Sequence, residues 1–271
     1  MTDPARVAQS VEQLTRNEQV ASSILASGSV RRSFPGPSLT PVAPALFVPA
    51  YFGPWERGHW RRLLADRPAT VVINPDSGPG VRVHDGYREL VEQLTASGAS
   101  VLGYVATTYL AKPLGDCIDE ADRHRRWYGV NGIFWDEMPR RDAIHAVRTL
   151  TIAAGRPLAN RSDPTRSPAV GARCVFNAGG PVPRRWMVAS PDSLWVTFEG
   201  SAEAYVRYTD EASDGGWRSD AMLRRQCHLV HACGGLRPRF PAGLGAAYST
   251  SDRLPNPWDV YESPWSDGPE V

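Results

Sequence analysis

The sequence predicts a single (β/α)8 barrel, and two observations carry this prediction. The chain has 271 residues, 42% of them hydrophobic, and an α/β barrel routinely takes about 250 residues. From residue 45 onward, apolar runs of strand length alternate with amphipathic runs of helix length, which is typical of a parallel sheet. Eight strand candidates favour a closed barrel over an open sheet. We therefore expect an α/β barrel over residues 44–271, preceded by a tail over residues 1–43.

Each predicted strand is built on an apolar run, and seven of the eight end in polar or turn-forming residues. In chain order the strands are ALFVPAYF (45–52), TVVINP (70–75), SVLGYVATT (100–108), GIFWDE (132–137), RCVFNAGG (173–180), SLWVTFEG (193–200), CHLVHACG (227–234) and GAAYSTSD (245–252). The helices predicted after the first four are HWRRLLAD, YRELVEQLTASG, CIDEADRHRRWYG and RDAIHAVRTLTIAAG. No strand is followed by a glycine-rich phosphate-binding motif, so nothing favours a nucleotide-binding fold.

The tail is predicted from composition. Residues 27–44 are rich in Ser, Pro, Gly and Arg, which is typical of a linker. The N-terminus lacks the basic and apolar regions of a secretory signal, and no run approaches the ~18 apolar residues of a membrane span. A cytoplasmic location is the default expectation, with another export route or a different start as the alternatives.

Charge and cysteine content argue against several classes of function. The chain carries 30 basic and 29 acidic residues, so it has no electrostatic footprint for nucleic acid or for an anionic membrane. Its four cysteines form no CxxC pair, which argues against a zinc ribbon and favours free thiols. His228 and His231 lie three apart in a strand and point to opposite faces, so they do not easily share an ion. We expect no metal, no cofactor, and neither nucleic acid nor a membrane as partner.

Polar side chains stand at the carboxyl ends of six predicted strands, where barrel enzymes carry their active sites. They are Asn74 after strand two, Asp136 and Glu137 after strand four, Asn177 after strand five, Glu199 after strand six, His231 after strand seven, and Ser249 to Asp252 after strand eight. Each has an ordinary explanation: Asp136 could cap the next helix, and Asn74 belongs to the tight turn NPDSGPG. Six strands with this feature together indicate a site.

Side-chain alternation predicts that Asp136 and Glu199 face each other across the barrel mouth. In GIFWDE, Ile133 and Trp135 suit packing against the outer helices, which would aim Asp136 inward. In SLWVTFEG, positions 194, 196 and 198 are wholly apolar, so simple alternation places Trp195 and Glu199 on the inner face. Paired carboxylates around a scissile bond are the machinery of glycoside hydrolysis.

Taken together, these residues resemble spherulation-specific family 4, the spherulin-4-like proteins whose fungal members include glycoside hydrolase family 135. The matching stretches are VPAYFGP (48–54), VVINPDSGPG (71–80), VLGYVATTYL (101–110), WYGVNGIFWDE (127–137), TFEGS (197–201), LVHACG (229–234) and NPWD (256–259). The resemblance implies a (β/α)8 barrel that hydrolyses α-1,4-linked galactosamine or N-acetylgalactosamine polymers. It also implies an acidic cluster of Asp136, Glu137 and Glu199.

The strand-end acids lead us to expect a retaining glycosidase with Asp136 as nucleophile and Glu199 as acid/base. Glu137 would raise the pKa of the acid by like-charge repulsion. The candidate substrate-binding residues are Tyr51, Asn74, Tyr104, Asn177, His231, Tyr248 and Trp258. Among these, Trp258 lies in a proline-flanked loop after strand eight and is the candidate sugar-stacking platform.

Three other functions stay open on the sequence. A non-catalytic carbohydrate-binding barrel would keep the tyrosines and Trp258 for stacking without turnover. An intracellular barrel enzyme acting on a small amino sugar would need a short, closed pocket. A structural role in a spore or cell coat fits the family name alone. The expected partner is a polysaccharide or oligosaccharide, and the sequence does not set the oligomeric state.

Overall fold

The computed structural model describes residues 43–155, 174–211, 220–234 and 238–263. Over these residues, eight parallel strands follow one another in sequence order around a closed barrel, and the eighth pairs with the first. The predicted (β/α)8 barrel is therefore confirmed. The predicted tail lies outside the described residues, apart from Ala43.

The strands are β1 (Ala45–Ala50), β2 (Thr70–Ile73), β3 (Ser100–Ala106), β4 (Gly132–Asp136), β5 (Cys174–Asn177), β6 (Ser193–Ser201), β7 (Gln226–His231) and β8 (Ala246–Ser249). The helices are α1 (Arg57–Asp66), α2 (Asp85–Ala96), α3 (Leu114–Tyr128), α4 (Ile144–Ala154), α5 (Arg184–Ala189), α6 (Ala202–Glu211) and α7 (Asp220–Leu223). All eight predicted strands are present, and all except β6 end earlier than predicted. Asp136 and Asn177 are the last residues of β4 and β5, and Glu199 lies near the end of β6.

The strands and helices bury the surfaces that their sequences make apolar. Strand β2 is buried along its whole length, as expected for a parallel strand covered on both faces. Helix α3 buries Cys117, Ala121, His124 and Tyr128 along one side, at the spacing of a helical stripe. It ends at Gly129, whose φ of 73° is the left-handed conformation that glycine adopts readily.

Aromatic side chains fill the barrel interior below the site. The rings of Phe47 from β1 and Phe134 from β4 lie 6.0 Å apart, and Phe134 lies 6.2 Å from Tyr104 of β3. The interior of such a barrel is a packed core and not a pore. A ligand can therefore reach the barrel only at its ends, and the polar residues gather at the carboxyl end.

Strand β6 departs from simple alternation, which corrects one prediction. Trp195 packs against Trp186 of α5 with ring centroids 6.1 Å apart, so it faces the helices and not the interior. Phe198 also faces the helices, because its ring centroid lies 4.8 Å from that of Tyr205 in α6. Residues three apart in a regular strand face opposite sides, but the pairing of β6 with β7 shifts between Val196 and Phe198. This bulge restores Glu199 to the inner face.

The four cysteines are buried free thiols, as the absence of a paired motif predicted. Among the described helices, none has both the length and the apolar character that a membrane span requires.

Candidate active site

The carboxyl ends of β4, β5 and β6 bring two acids and one amide together. The Nδ2 of Asn177 donates to Asp136 Oδ1 at 2.7 Å and to Glu199 Oε2 at 2.6 Å. Because one nitrogen joins both oxygens, these oxygens lie at most about 5.3 Å apart. The backbone N–H of Gly179 donates to Asn177 Oδ1 at 2.8 Å, which fixes the amide with its nitrogen toward the acids. Three of the predicted site residues thus form one cluster.

The fold places this cluster through strand register. Strands β4 and β5 pair Trp135 with Phe176, so the residues that follow, Asp136 and Asn177, end their strands side by side. The backbone N–H of Met138 also donates to the carbonyl of Asn177 at 2.8 Å, which ties the two strand ends together. The amide and the acid are therefore held by backbone contacts as well as by their side chains.

Asp136 is a partly buried acid with a raised pKa. Burial, followed by the negative charge of Glu199, raises the pKa of Asp136 to about 6. Hydrogen bonds from the Glu137 backbone, the Tyr104 hydroxyl and the Asn177 amide oppose this shift without cancelling it. Asp136 therefore holds its proton into the mildly acidic range, as a general acid must.

Both carboxylate oxygens of Glu199 accept hydrogen bonds from neutral donors. Oε2 accepts from the Asn177 amide at 2.6 Å, and Oε1 accepts from the indole N–H of Trp258 at 3.1 Å. Within the described ranges, neither Asp136 nor Glu199 lies in a salt bridge with a basic side chain. The acids are oriented without being neutralised by a charged partner.

The segment after β8 folds back over β1 and buries two predicted sugar-binding aromatics. Trp258 is 4% exposed, and its carbonyl accepts from the Tyr51 backbone N–H at 3.0 Å. This burial contradicts the expectation of an open stacking platform at Trp258. Tyr248 is 1% exposed, and its hydroxyl bonds to both the carbonyl and the N–H of Glu262 at 3.1 Å. Trp258 orients Glu199, and Tyr248 anchors the segment.

Two other predicted tyrosines stand beside Asp136. The Tyr104 hydroxyl hydrogen-bonds to Asp136, and burial, with the charge of Asp136, raises the pKa of Tyr104. The Tyr51 ring meets the Tyr104 ring edge-on at 5.5 Å. Burial raises the pKa of Tyr51, and the nearby Asp136 adds to the shift. Both phenols thus remain neutral hydrogen-bond donors at the mouth.

The histidines face different surroundings, as their spacing predicts. His231 is 9% exposed and its ring lies 6.3 Å from Trp258. Burial lowers the pKa of His231, while Glu199 acts in the opposite direction. His228 instead contacts the hydroxyl of Tyr205 at 2.8 Å on the helix side. In the described part of the chain, no group of three or more His, Cys, Asp or Glu side chains is placed to hold a metal ion.

The side chain of Asn74 bonds within its own turn. Its Oδ1 accepts from the backbone N–H of Gly78 at 2.9 Å, so its recorded contact lies within the turn NPDSGPG. This is the turn role that the sequence allowed as the ordinary reading of Asn74.

Thr107 is a site residue that sequence reasoning missed. It is fully buried, and its Oγ1 lies 3.0 Å from the Asp136 carbonyl and 2.8 Å from that of Glu137. Glu137 has a φ of 54°, which is uncommon outside glycine. The Thr107 hydroxyl therefore holds Asp136 and Glu137 in place, with Glu137 in a backbone conformation that residues other than glycine seldom adopt. The sequence signal for this role is the pair of threonines, Thr107 and Thr108, in VLGYVATTYL.

Two exposed aromatics on loops at this end of the barrel were also missed. Trp55 follows β1 and is 72% exposed, and Tyr109 follows β3 and is 68% exposed. Sequence periodicity carries no signal for them, because the exposure of a loop side chain depends on how the loops pack.

Comparisons with known proteins agree with the motifs. The family model described as spherulation-specific family 4 matches residues 45–267. Spherulin-4 of Physarum polycephalum is 41% identical over 69 residues, which are 25% of this chain and 21% of that protein. Among solved structures, a GH18 chitinase from Pseudoalteromonas aurantia aligns with a TM-score of 0.43 and 9% identity, over 76% of this chain and 93% of its own. Because the family model matches the chain across the whole described barrel, the chain belongs to spherulation-specific family 4.

Proposed function

We propose that this chain is a retaining glycoside hydrolase that acts on polysaccharide containing α-1,4-linked galactosamine or N-acetylgalactosamine. The observation that carries the proposal is the Asn177 amide, which bonds to both Asp136 and Glu199. These two oxygens lie within about 5.3 Å of each other, which favours the roughly 5–5.5 Å of retaining pairs over the roughly 6.5–9.5 Å of inverting pairs. The substrate class rests on the family resemblance.

The raised pKa of Asp136 supports an assignment of the two roles. Asp136 has a pKa of about 6 and keeps its proton in mildly acidic solution. We therefore assign it as the group that protonates the leaving oxygen. Glu199 then attacks the anomeric carbon and forms a glycosyl-enzyme ester as the leaving group departs with the proton. Asp136, now ionised, takes a proton from water, and this water releases the sugar from Glu199. This assignment reverses the one expected from the sequence.

The chemistry of the substrate supports an enzyme nucleophile. In an α-linked 2-acetamido sugar, the acetamido group is on the same side as the leaving group, so it cannot attack the anomeric carbon from behind. The protein must supply the nucleophile, and Glu199 is the second carboxylate of the pair. Tyr104 and Trp258 hold the pair in place through neutral donors.

The test is hydrolysis of an α-1,4-linked N-acetylgalactosamine oligosaccharide by wild type, Asp136→Asn and Glu199→Gln, with the products identified by mass. Both variants should lose activity by several orders of magnitude. Wild-type-like release by either variant would remove that residue from the chemistry. Glycan binding without any product from wild type would favour a binding barrel, and turnover of small amino sugars alone would favour a metabolic enzyme.

Azide separates the two roles on a substrate with an activated leaving group. If Glu199 is the nucleophile, azide should restore turnover to Glu199→Ala and give the β-glycosyl azide. If Asp136 is the acid/base, azide should give the α-glycosyl azide with Asp136→Ala. The opposite pair of products would restore the assignment expected from the sequence.

A further inference from the structure

We propose that Tyr109 forms a sugar-binding subsite beside the acid pair, with its ring stacked against a pyranose unit next to the scissile bond. The proposal rests on the hydrolase function proposed above. Tyr109 lies in the matching stretch VLGYVATTYL (101–110), but none of the roles predicted from the sequence falls on it. Three features of Tyr109 carry it: an exposed ring, a backbone hydrogen bond to the end of β4, and a left-handed turn closed by hydrogen bonds.

The Tyr109 ring is open to solvent. Tyr109 is 68% exposed. Within the described ranges, its side chain makes no hydrogen bond or ring contact. Tyr51 and Tyr104, in contrast, pack edge-on against each other at the mouth. Of the aromatic residues in the described part of the chain, only Tyr109 and Trp55 are this exposed. An exposed tyrosine presents both an apolar ring face and a polar hydroxyl at the surface, which suits contact with a ligand that has both characters.

The backbone of Tyr109 is bonded to the strand end that carries the acids. Its N–H donates to the carbonyl of Glu137 at 2.8 Å, and the N–H of Thr107 donates to the carbonyl of Asp136 at 2.9 Å. The loop after β3 and the end of β4 therefore form one unit. A sugar unit whose glycosidic oxygen lies at Asp136 has neighbours within reach of this loop. In the described part of the chain, Trp55 has no hydrogen bond to the end of β4, so the inference concerns Tyr109 alone.

The turn that presents Tyr109 is strained and closed. Thr108, Tyr109 and Leu110 have φ values of 52°, 53° and 68°, a region that β-branched and aromatic residues seldom occupy. Two backbone hydrogen bonds close the turn, from Leu110 to the carbonyl of Thr107 at 2.9 Å and from Ala111 to that of Thr108 at 2.8 Å. Strained conformations of this kind cluster at ligand-binding sites.

A fixed turn of this kind is suited to sugar binding. The faces of a pyranose present C–H groups that pack on an aromatic ring, while the phenol hydroxyl remains available to the sugar hydroxyls. Because the backbone of Tyr109 is already held, binding does not have to order the loop first, and more of the stacking energy appears as affinity.

The experiment measures glycan affinity in a background that does not consume the glycan. Titration calorimetry follows binding of an α-1,4-linked N-acetylgalactosamine hexasaccharide to Glu199→Gln, alone and combined with Tyr109→Ala, Tyr109→Phe or Ile152→Ala. Ile152 lies on α4 and is 69% exposed, so it controls for the loss of a surface side chain. The same series in Asp136→Asn provides a second inactive background.

Tyr109→Ala should weaken binding about three- to tenfold, and Tyr109→Phe should stay within about twofold of its parent because the ring is retained. Ile152→Ala should have no effect. Equal affinities for Tyr109→Ala and Ile152→Ala would overturn the subsite, and cleavage by wild type would then leave the hydrolase proposal standing. Weakened binding in Tyr109→Ala, with no product from wild type, would support the subsite and reject the hydrolase. Absence of binding in both backgrounds would overturn the subsite.

Discussion

Asn177 allows two carboxylates to stand close together. Two acids this close repel each other when both are ionised, and partial burial strengthens the repulsion. The Asn177 amide lowers this cost, because its two N–H groups point at the two acids and its oxygen is held by Gly179. The same contacts set the distance between the acids, so Asn177 is a positioning residue for the reaction.

Replacing Asn177 with alanine should therefore impair hydrolysis more than folding. Loss of the shared donor should lower kcat on the order of 100-fold, which is typical when an oriented donor is removed from a reacting centre. The measurement is steady-state hydrolysis of the oligosaccharide, with thermal unfolding of the same preparation to verify folding. A variant that stays folded and keeps the wild-type kcat would contradict this role of Asn177.

Asp136 should make stability depend on pH. Its pKa is 3.8 in the ordinary environment and about 6 in the folded protein, so folding favours the protonated form. The stabilising contribution is complete below about pH 4 and is lost as the pH rises through about 6. Asp136→Asn cannot ionise and should be more stable than wild type by about 3 kcal/mol at pH 7, with little difference near pH 4.

Urea unfolding at both pH values checks this prediction. The control is Asp119→Asn on the exposed side of α3, which should change stability by less than about 0.5 kcal/mol. Equal stability of wild type and Asp136→Asn at pH 7 would show that ionisation of Asp136 does not destabilise the folded protein.

At the scale of elements, the His124 side chain of helix α3 packs directly on the backbone of strand β3 at Gly103. A Cβ on Gly103 would lie 2.4 Å from Cγ of His124, so the strand needs glycine at this position. His124 is fully buried, and its Nε2 lies 2.7 Å from the carbonyl of Tyr104. Burial lowers the pKa of His124 to about 3, so the ring is neutral and its Nε2–H donates to that carbonyl. The helix thus positions the strand residue that bonds to Asp136.

Gly103→Ala should therefore destabilise the protein and reduce activity together. Overpacking at such a site costs about 1–3 kcal/mol, and the displaced Tyr104 weakens its contact with Asp136. Gly115→Ala is the matched control, because a Cβ there meets nothing within 4 Å and alanine favours the helix. Denaturant unfolding and kcat of both variants provide the comparison. Equal stability of the two would mean that β3 and α3 are not tightly coupled at this point.

At the scale of the whole molecule, the parts of the fold that repeat could be predicted from the sequence. Eight apolar runs separated by helix-length segments are a local pattern, and the closed barrel follows from it. The convergence of Asp136, Asn177 and Glu199 also follows, because parallel strands end on the same face.

The remaining features depend on contacts between distant residues. The bulge in β6 breaks the two-residue alternation, so Trp195 faces outward although Glu199 faces inward. The segment after β8 buries Trp258 by crossing β1, and no local pattern signals that path. Thr107 bonds to carbonyls 29 and 30 residues away. Such contacts are fixed by the assembled barrel, and they determine which aromatic rings meet solvent.

The stereochemistry of cleavage tests the central claim, that Asp136 and Glu199 act as a pair across one glycosidic bond. Proton NMR of the first product released from an α-linked N-acetylgalactosamine oligosaccharide reports its anomeric configuration before mutarotation. The separation of at most about 5.3 Å between the acids predicts that the α-anomer forms first. A β-anomer formed first would contradict this account of the pair.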